Sequence, residues 1–150
     1  MNEISTPAKL DIDPNLSISD FLLRHATDTP SKTLMCREVA GEWQDIPASE
    51  VLQTVRGIAK GLIAHGYGKG DAIAIMSRTR IEWALLDLAI WQIGAFSVPV
   101  YETSSAHQTQ WILKDSGCTG AITETAENAA VIEEARGEED GHGVTNVWVI

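Results

Sequence analysis

The sequence is short of positive charge, of cysteine and of uninterrupted apolar runs, and each shortage removes a class of function. Eleven Lys and Arg stand against 21 Asp and Glu, a formal charge of -10. Binding a phosphate backbone needs clustered basic side chains, so nucleic acid is not an expected partner. Cys36 and Cys118 stand alone, without a C-x-x-C pair, and indicate neither a zinc site nor a disulfide framework. A reduced cytoplasm is the simplest setting. His25, His65, His107 and His142 are scattered, with no i,i+4 pair and no carboxylate at ligand spacing, so no metal residue is assigned. The opening MNEISTPAKLDIDPN has no apolar run behind a basic start, unlike a signal peptide, and residues 1–16 read as a loose leader. The longest apolar stretch, Trp83 to Val100, is broken by Asp87, Gln92 and Pro99. A central Asp costs about 2.5–3.5 kcal/mol on membrane insertion, and a helix followed by a strand accounts for the same residues, so no transmembrane segment is assigned.

What is present is a regular alternation of elements. A chain of 150 residues fits one domain, able to bury roughly 70% of its unfolded surface. SISDFLLRHA, residues 17–26, opens on Ser17, Ser19 and Asp20 and predicts a short helix presenting Ile18, Phe21 and Leu22 on one side. TLMCREV and EWQDI flank Ala40-Gly41 and predict a small hairpin. Val51, Leu52, Val55, Ile58, Ala59, Leu62 and Ile63 step by three and four, a helical stripe closed by Gly66 as a left-handed cap. DAIAIMS then reads as a strand. Thr79 with Glu82 has capping-box spacing for a helix running to about Gly94, apolar nearly all round and so buried on more than one side. AFSVPV is the next strand, with Pro99 fitting only an edge or a strand end. Ser105 with Gln108 opens another helix, ended by Gly117. CTGAIT, a helix over 125–136 and VTNVWVI complete β-α-β-α-β-α-β from residue 71. That order predicts an α/β fold, a mostly parallel sheet with helices on both faces, preceded by the small helix and hairpin.

In such sheets ligands gather at the carboxyl ends of the strands, which makes Tyr101, Glu102, Thr103 and Ser104 the candidate cleft-facing loop. The competing reading is that Ser104 and Ser105 only cap the helix and Tyr101 only plugs the sheet end. Ser77-Arg78-Thr79-Arg80, after a strand and at a helix start, is a weaker candidate for an anion. Gly61-x-x-x-x-Gly66 has phosphate-loop glycine spacing, but Tyr67 stands where Lys belongs and the glycines follow a helix rather than a strand. Glu138-Glu139-Asp140-Gly141-His142 reads as a solvated acidic loop, and most of Trp43, Trp83, Trp91, Trp111 and Trp148 as core.

The ordered set Glu82-Trp83, Gly94-Ala95, Val98-Pro99-Val100-Tyr101-Glu102-Thr103, Trp111-Ile112-Leu113 and Asp115-Ser116-Gly117 resembles the opening third of adenylate-forming acyl-CoA synthetases, most closely the long-chain fatty-acid CoA ligases. The resemblance runs from about residue 17 to the end and implies that residues 17–150 are a partial N-terminal AMP-binding domain, truncated at its C-terminus. For the full-length family it implies ATP, Mg and CoA, with fatty acid as substrate, in a cytoplasmic enzyme that can be peripheral at a membrane. The family's phosphate loop, adenine-binding segment, ribose-binding Asp, hinge and C-terminal Lys do not occur in this sequence. No catalytic or cofactor-binding residue is therefore assigned, and the chain is expected to be an inactive scaffold by itself, prone to self-association through exposed sheet or apolar surface. The alternative is a stand-alone, non-catalytic α/β module that binds a nucleotide or a partner.

Overall fold

The computed structural model describes residues 4–7, 9–11, 13–138 and 140–150. Met1 to Glu3, Ala8 and Ile12 of the expected leader, and Glu139 of the acidic loop, lie outside the described residues.

The first unit is α1 (Ile18–Asp28) followed by the strands β1 (Thr33–Val39) and β2 (Glu42–Pro47). Ser17 and Asp20 form a reciprocal capping box on α1. Of the three residues expected on its buried side only Leu22 is buried, against α2 and the hairpin; Ile18 and Phe21 stay about half exposed. β1 and β2 pair antiparallel through a turn in which Ala40 and Gly41 both have positive φ, +55° and +86°. That is the conformation a two-residue hairpin turn demands.

α2 (Ala48–Ala64) buries Val51, Leu52, Val55, Ala59 and Leu62, while Ile63 at the end of the stripe is exposed. Gly66, at φ +91°, ends it. The main sheet follows: β3 (Ala72–Met76), β4 (Phe96–Val100), β5 (Gly120–Thr123) and β6 (Asn146–Val149), connected by α3 (Ile81–Gln92), α4 (Ala106–Asp115) and α5 (Ala126–Arg136). All pairs are parallel, and the strand order is β4-β3-β5-β6. Pro99 thus sits on an edge strand, where a missing N–H does no harm.

Side chains of β3 alternate between two cores, as the pleat requires. Ala72, Ala74 and Met76 pack with Leu113, Ile132 and Val144 under α4 and α5. Ile73 and Ile75 pack with Leu62, Leu86 and Ile90 under α2 and α3. A third cluster joins Leu22, Ile46, Val51 and Val55 to Ala89, seating α1 and the hairpin outside α2 and α3. The result is a sheet with helices on both faces, and the apolar run that could have been mistaken for a membrane span is divided between α3 and β4. Among the described residues no helix is long and apolar enough to cross a membrane.

Two sequence expectations need correction. The helix α3 begins at Ile81 with Arg80 as its N-cap and no side-chain cap. Thr79 does not close a capping box, because the Glu82 carboxylate is taken by Arg80 Nε at 2.6 Å. The tryptophans are not mainly core: Trp43 and Trp111 are 74% and 63% exposed, and Trp83, Trp91 and Trp148 are only partly buried. Indole is large and so rarely fully enclosed; Trp83 and Trp148 cover the edge of the core formed by Ile73, Ile75 and Leu86.

Candidate functional site at the carboxyl ends of the strands

From β3 the chain leaves toward β4 through α3 on one face, and from β5 it leaves toward β6 through α5 on the other. The crevice beyond the carboxyl ends of β3 and β5 is therefore the topological switch point of the sheet, the place where ligands of open α/β sheets collect. Ser77 and Arg78 continue β3 into it, and Glu124 continues β5.

Glu124 organises this crevice. Its carboxylate accepts the Arg78 backbone N–H at 2.9 Å, Arg78 Nη2 at 2.7 Å, Arg78 Nε at 3.2 Å and Arg80 Nη1 at 3.4 Å. The Ser77 hydroxyl approaches it at 3.4 Å. The Arg78 guanidinium and backbone N–H hold the carboxyl down at about 2, well below its ordinary 4.5. Arg80 is shared with Glu82, so the network ties β5 to β3 and to the first turn of α3. The anion beside Arg78 and Arg80 comes from within the chain: the Glu124 carboxylate sits against both guanidinium groups.

The candidate loop divides. Tyr101 and Glu102 line a cleft of about 390 Å³ together with Ser77, Arg78, Trp83 and Val100. Ser104 faces the other way, into a groove of about 380 Å³ that Tyr101 shares with His107 and Trp111. Thr103 is exposed and lines neither. Tyr101 is 80% exposed and does not plug the end of the sheet. The loop is held in shape by a turn, Ser104 N–H to Tyr101 O at 3.0 Å, and by Asn128 Nδ2 on α5 donating to Glu102 O at 3.3 Å. Ser105 caps α4 with Gln108.

A family model for the AMP-binding enzymes matches residues 22–149. The chain belongs to this family. It is 39% identical over 137 residues to the long-chain-fatty-acid–CoA ligase FadD15 of Mycobacterium bovis, an alignment that covers 91% of this chain and 23% of that protein. The chain thus spans about a quarter of the length of the curated ligase it matches. It is also 34% identical over 82 residues to the uncharacterized protein Rv1549 of Mycobacterium tuberculosis, covering 55% of this chain and 44% of that one. Among solved structures, the inhibitor-bound N-terminal domain of FACL13 from Mycobacterium tuberculosis superimposes with a TM-score of 0.75 at 26% identity, over 89% of this chain and 33% of that domain. The chain therefore matches part of the N-terminal domain of a fatty acyl-CoA ligase.

Among the described residues no three His, Cys, Asp or Glu side chains converge on a point. The carboxylate at the switch point is already neutralised by two guanidinium groups. The donors present do not by themselves fit a Mg²⁺–phosphate site. Three features of the crevice escape a sequence reading: Glu124, which lies 46 residues from Arg78, Trp83 as a cleft wall, and Asn128 as the tether of the loop. Only the strand–loop–helix position of Glu124, matching that of Arg78 and Tyr101, hinted at a role.

Proposed function

We propose that residues 17–150 form the N-terminal scaffold of an ATP-dependent long-chain fatty-acid CoA ligase, the reaction being fatty acid + ATP + CoA to acyl-CoA + AMP + pyrophosphate, carried out in the cytoplasm. The observation that carries this reading is the 39% identity to FadD15 across nearly all of the chain. In this reading the chain supplies a rigid parallel sheet and one wall of a strand-end cleft, through Tyr101 and Glu102, and does no chemistry alone. Charge developing on a transferring adenylyl group needs positioned donors aimed at it. Here Arg78 and Arg80 are spent on Glu124. A chimera tests the assignment: residues 17–150 replace the aligned segment of FadD15, and acyl-CoA formation is followed with a long-chain fatty acid. Retained thioester synthesis supports it. A chimera that folds, binds neither ATP nor fatty acid and forms no product contradicts it.

A second reading, a stand-alone binding module built on the same crevice, is favoured by one observation. Rv1549, matched over 44% of its length by only 82 residues, is far shorter than the ligases. The module reading requires the purified chain to bind a nucleotide in its own right. Calorimetry with ATP and AMP separates the two, since the scaffold reading expects no heat of binding.

A further inference from the structure

The loop between α5 and β6 carries a histidine whose two ring nitrogens have opposite duties. Val144 stands in this loop, ahead of β6, and is fully buried with Ala72, Met76, Leu113 and Ile132. A buried main-chain N–H or C=O needs a partner. Val144 takes both from side chains: its N–H donates to His142 Nδ1 at 3.2 Å, and its C=O accepts from Arg136 Nη1 at 2.6 Å. The other ring nitrogen, His142 Nε2, lies 2.9 Å from Ile132 O on α5. A main-chain N–H can only donate and a carbonyl oxygen can only accept, so Nδ1 is bare and Nε2 bears the proton. The neutral Nε2–H imidazole is the one form that satisfies both contacts.

Charged groups approach this loop from two helices. On α5, the Glu133 carboxylate accepts from Arg136 Nε at 3.0 Å and Nη2 at 3.2 Å, while the same guanidinium holds Val144 O. Arg136 keeps the Glu133 carboxyl below the ordinary carboxylate range, and a charged His142 acts on it in the same direction more weakly. On α4, Lys114 Nζ holds Asp140 at 2.7 Å, Gln110 Nε2 donates to Gly141 O at 3.0 Å and His107 faces Glu138 at 3.8 Å. Those three contacts tie down the first half of the loop without His142.

We propose that His142 is an acid-operated latch on the entry to β6, holding Val144 when neutral and turning to the Glu133 carboxylate when protonated. A proton on Nδ1 removes the acceptor of the Val144 N–H and sets two donors against each other. The new cation lies within electrostatic reach of Glu133 and, in pairing with it, competes with Arg136, which holds the Val144 carbonyl. One proton thus loosens both main-chain groups of Val144. Because the ring exchanges one partner for another, the opening is local, and the α4 contacts confine it to residues 142–145. Imidazole is the side chain that ordinarily gains its proton between about pH 8 and 5, so mild acid operates the latch. It sits at the amino end of β6, the opposite end of the sheet from the Glu124 crevice, and does not rest on the ligase reading.

Nuclear magnetic resonance on the 150-residue chain tests the latch. At about pH 8 the ring nitrogens of His142 should report the Nε2–H tautomer. As the pH is lowered to about 5, the Val144 amide should lose protection about fivefold relative to its intrinsic exchange rate, the equivalent of one ordinary hydrogen bond. That loss should track protonation of the ring, while the Ile73 and Ile75 amides of β3 keep their protection. His142→Gln, which takes up no proton, should hold Val144 constant over the same range, and Glu133→Gln, which removes the partner of the cation, should move the loss to lower pH. The proposal is overturned by an Nδ1–H tautomer in the alkaline sample, by Val144 protection that stays level while the ring titrates, or by an equal loss in β3, which would be global unfolding. A His142→Gln chain with the wild-type pH dependence, or a Glu133→Gln chain in which the loss does not move, overturns it as well. Should either variant fail to fold, the ring and amide titrations of the wild-type chain decide alone.

Discussion

Replacing Gly120 by Ala should destabilise the chain, although alanine is the better strand residue. A Cβ at this position would stand 2.7 Å from Tyr67 Oη, 2.9 Å from its Cζ and 3.0 Å from its Cε1. The ring cannot give way freely. Its hydroxyl donates to Thr119 O at 3.0 Å and accepts from Asn146 Nδ2 at 2.9 Å, which bolts it across β5 and β6. The ring also meets Trp148 edge-on at a centroid distance of 5.7 Å. Displacing it forfeits hydrogen bonds at about 1 kcal/mol each and an aromatic contact at about 0.5–1.5 kcal/mol. Ala returns about 0.5–1 kcal/mol through reduced chain entropy. The balance is a loss of about 2 kcal/mol, within the span usual for overpacking. For a domain of this size that lowers Tm by roughly 4–8 °C. Thermal denaturation followed by circular dichroism measures it, and a cycle with Tyr67→Phe locates the cause: Ala should cost less where the hydroxyl is already gone. A Gly120→Ala chain as stable as wild type, or strictly additive effects in the cycle, would refute the reasoning.

Two further predictions concern titration. The Glu124 carboxyl is held at about 2, below its ordinary 4.5, so its contribution to stability is complete above 4.5 and is lost as pH falls from there toward 2. Glu124→Gln should be less stable than wild type at neutral pH, and the gap should close across that acid window in urea melts; a gap independent of pH would contradict the ion network. Asp87 on α3 is buried against β4, where the Ser97 hydroxyl donates to its Oδ1. Burial pushes its carboxyl above the ordinary 3.8, against the opposing effect of that hydrogen bond. Ionising it opposes folding, so Asp87→Asn should raise stability at neutral pH and lose that advantage as the solution is acidified. A destabilised Asp87→Asn chain at pH 7 would show the charge to be needed.

Much of the fold could be read from local chemistry. The Ala40-Gly41 turn, the helix start at Ser17, the Ser105 capping box, the stripe of α2 and the Gly66 cap each rest on residues a few positions apart, and each is found in place. The parallel sheet followed from the alternation of short strands with helices. Strand order did not, because β3 pairs with both β4 and β5 and nothing in either sequence records the partner. The crevice was half legible. Tyr101 and Glu102 could be placed at a strand end from the apolar-to-polar step after Val100. Glu124 could not be matched to Arg78 without knowing that β3 and β5 are neighbours. The capping box at Thr79 failed for a local reason: the helix starts one residue later, with Arg80 as N-cap, and Arg80 itself pairs with Glu82. The tryptophans misled because apolar character was equated with enclosure, and Trp43 and Trp111 lie on outer faces that the periodicity of their own segments does not reveal.

On the proposed scaffold reading, this chain contributes architecture and not chemistry to adenylate formation. Fatty-acid-dependent exchange of pyrophosphate into ATP, assayed with the purified 150-residue chain and Mg²⁺, tests it most directly. The account predicts exchange no higher than a protein-free blank, while exchange that rises with added fatty acid and with chain concentration would contradict it.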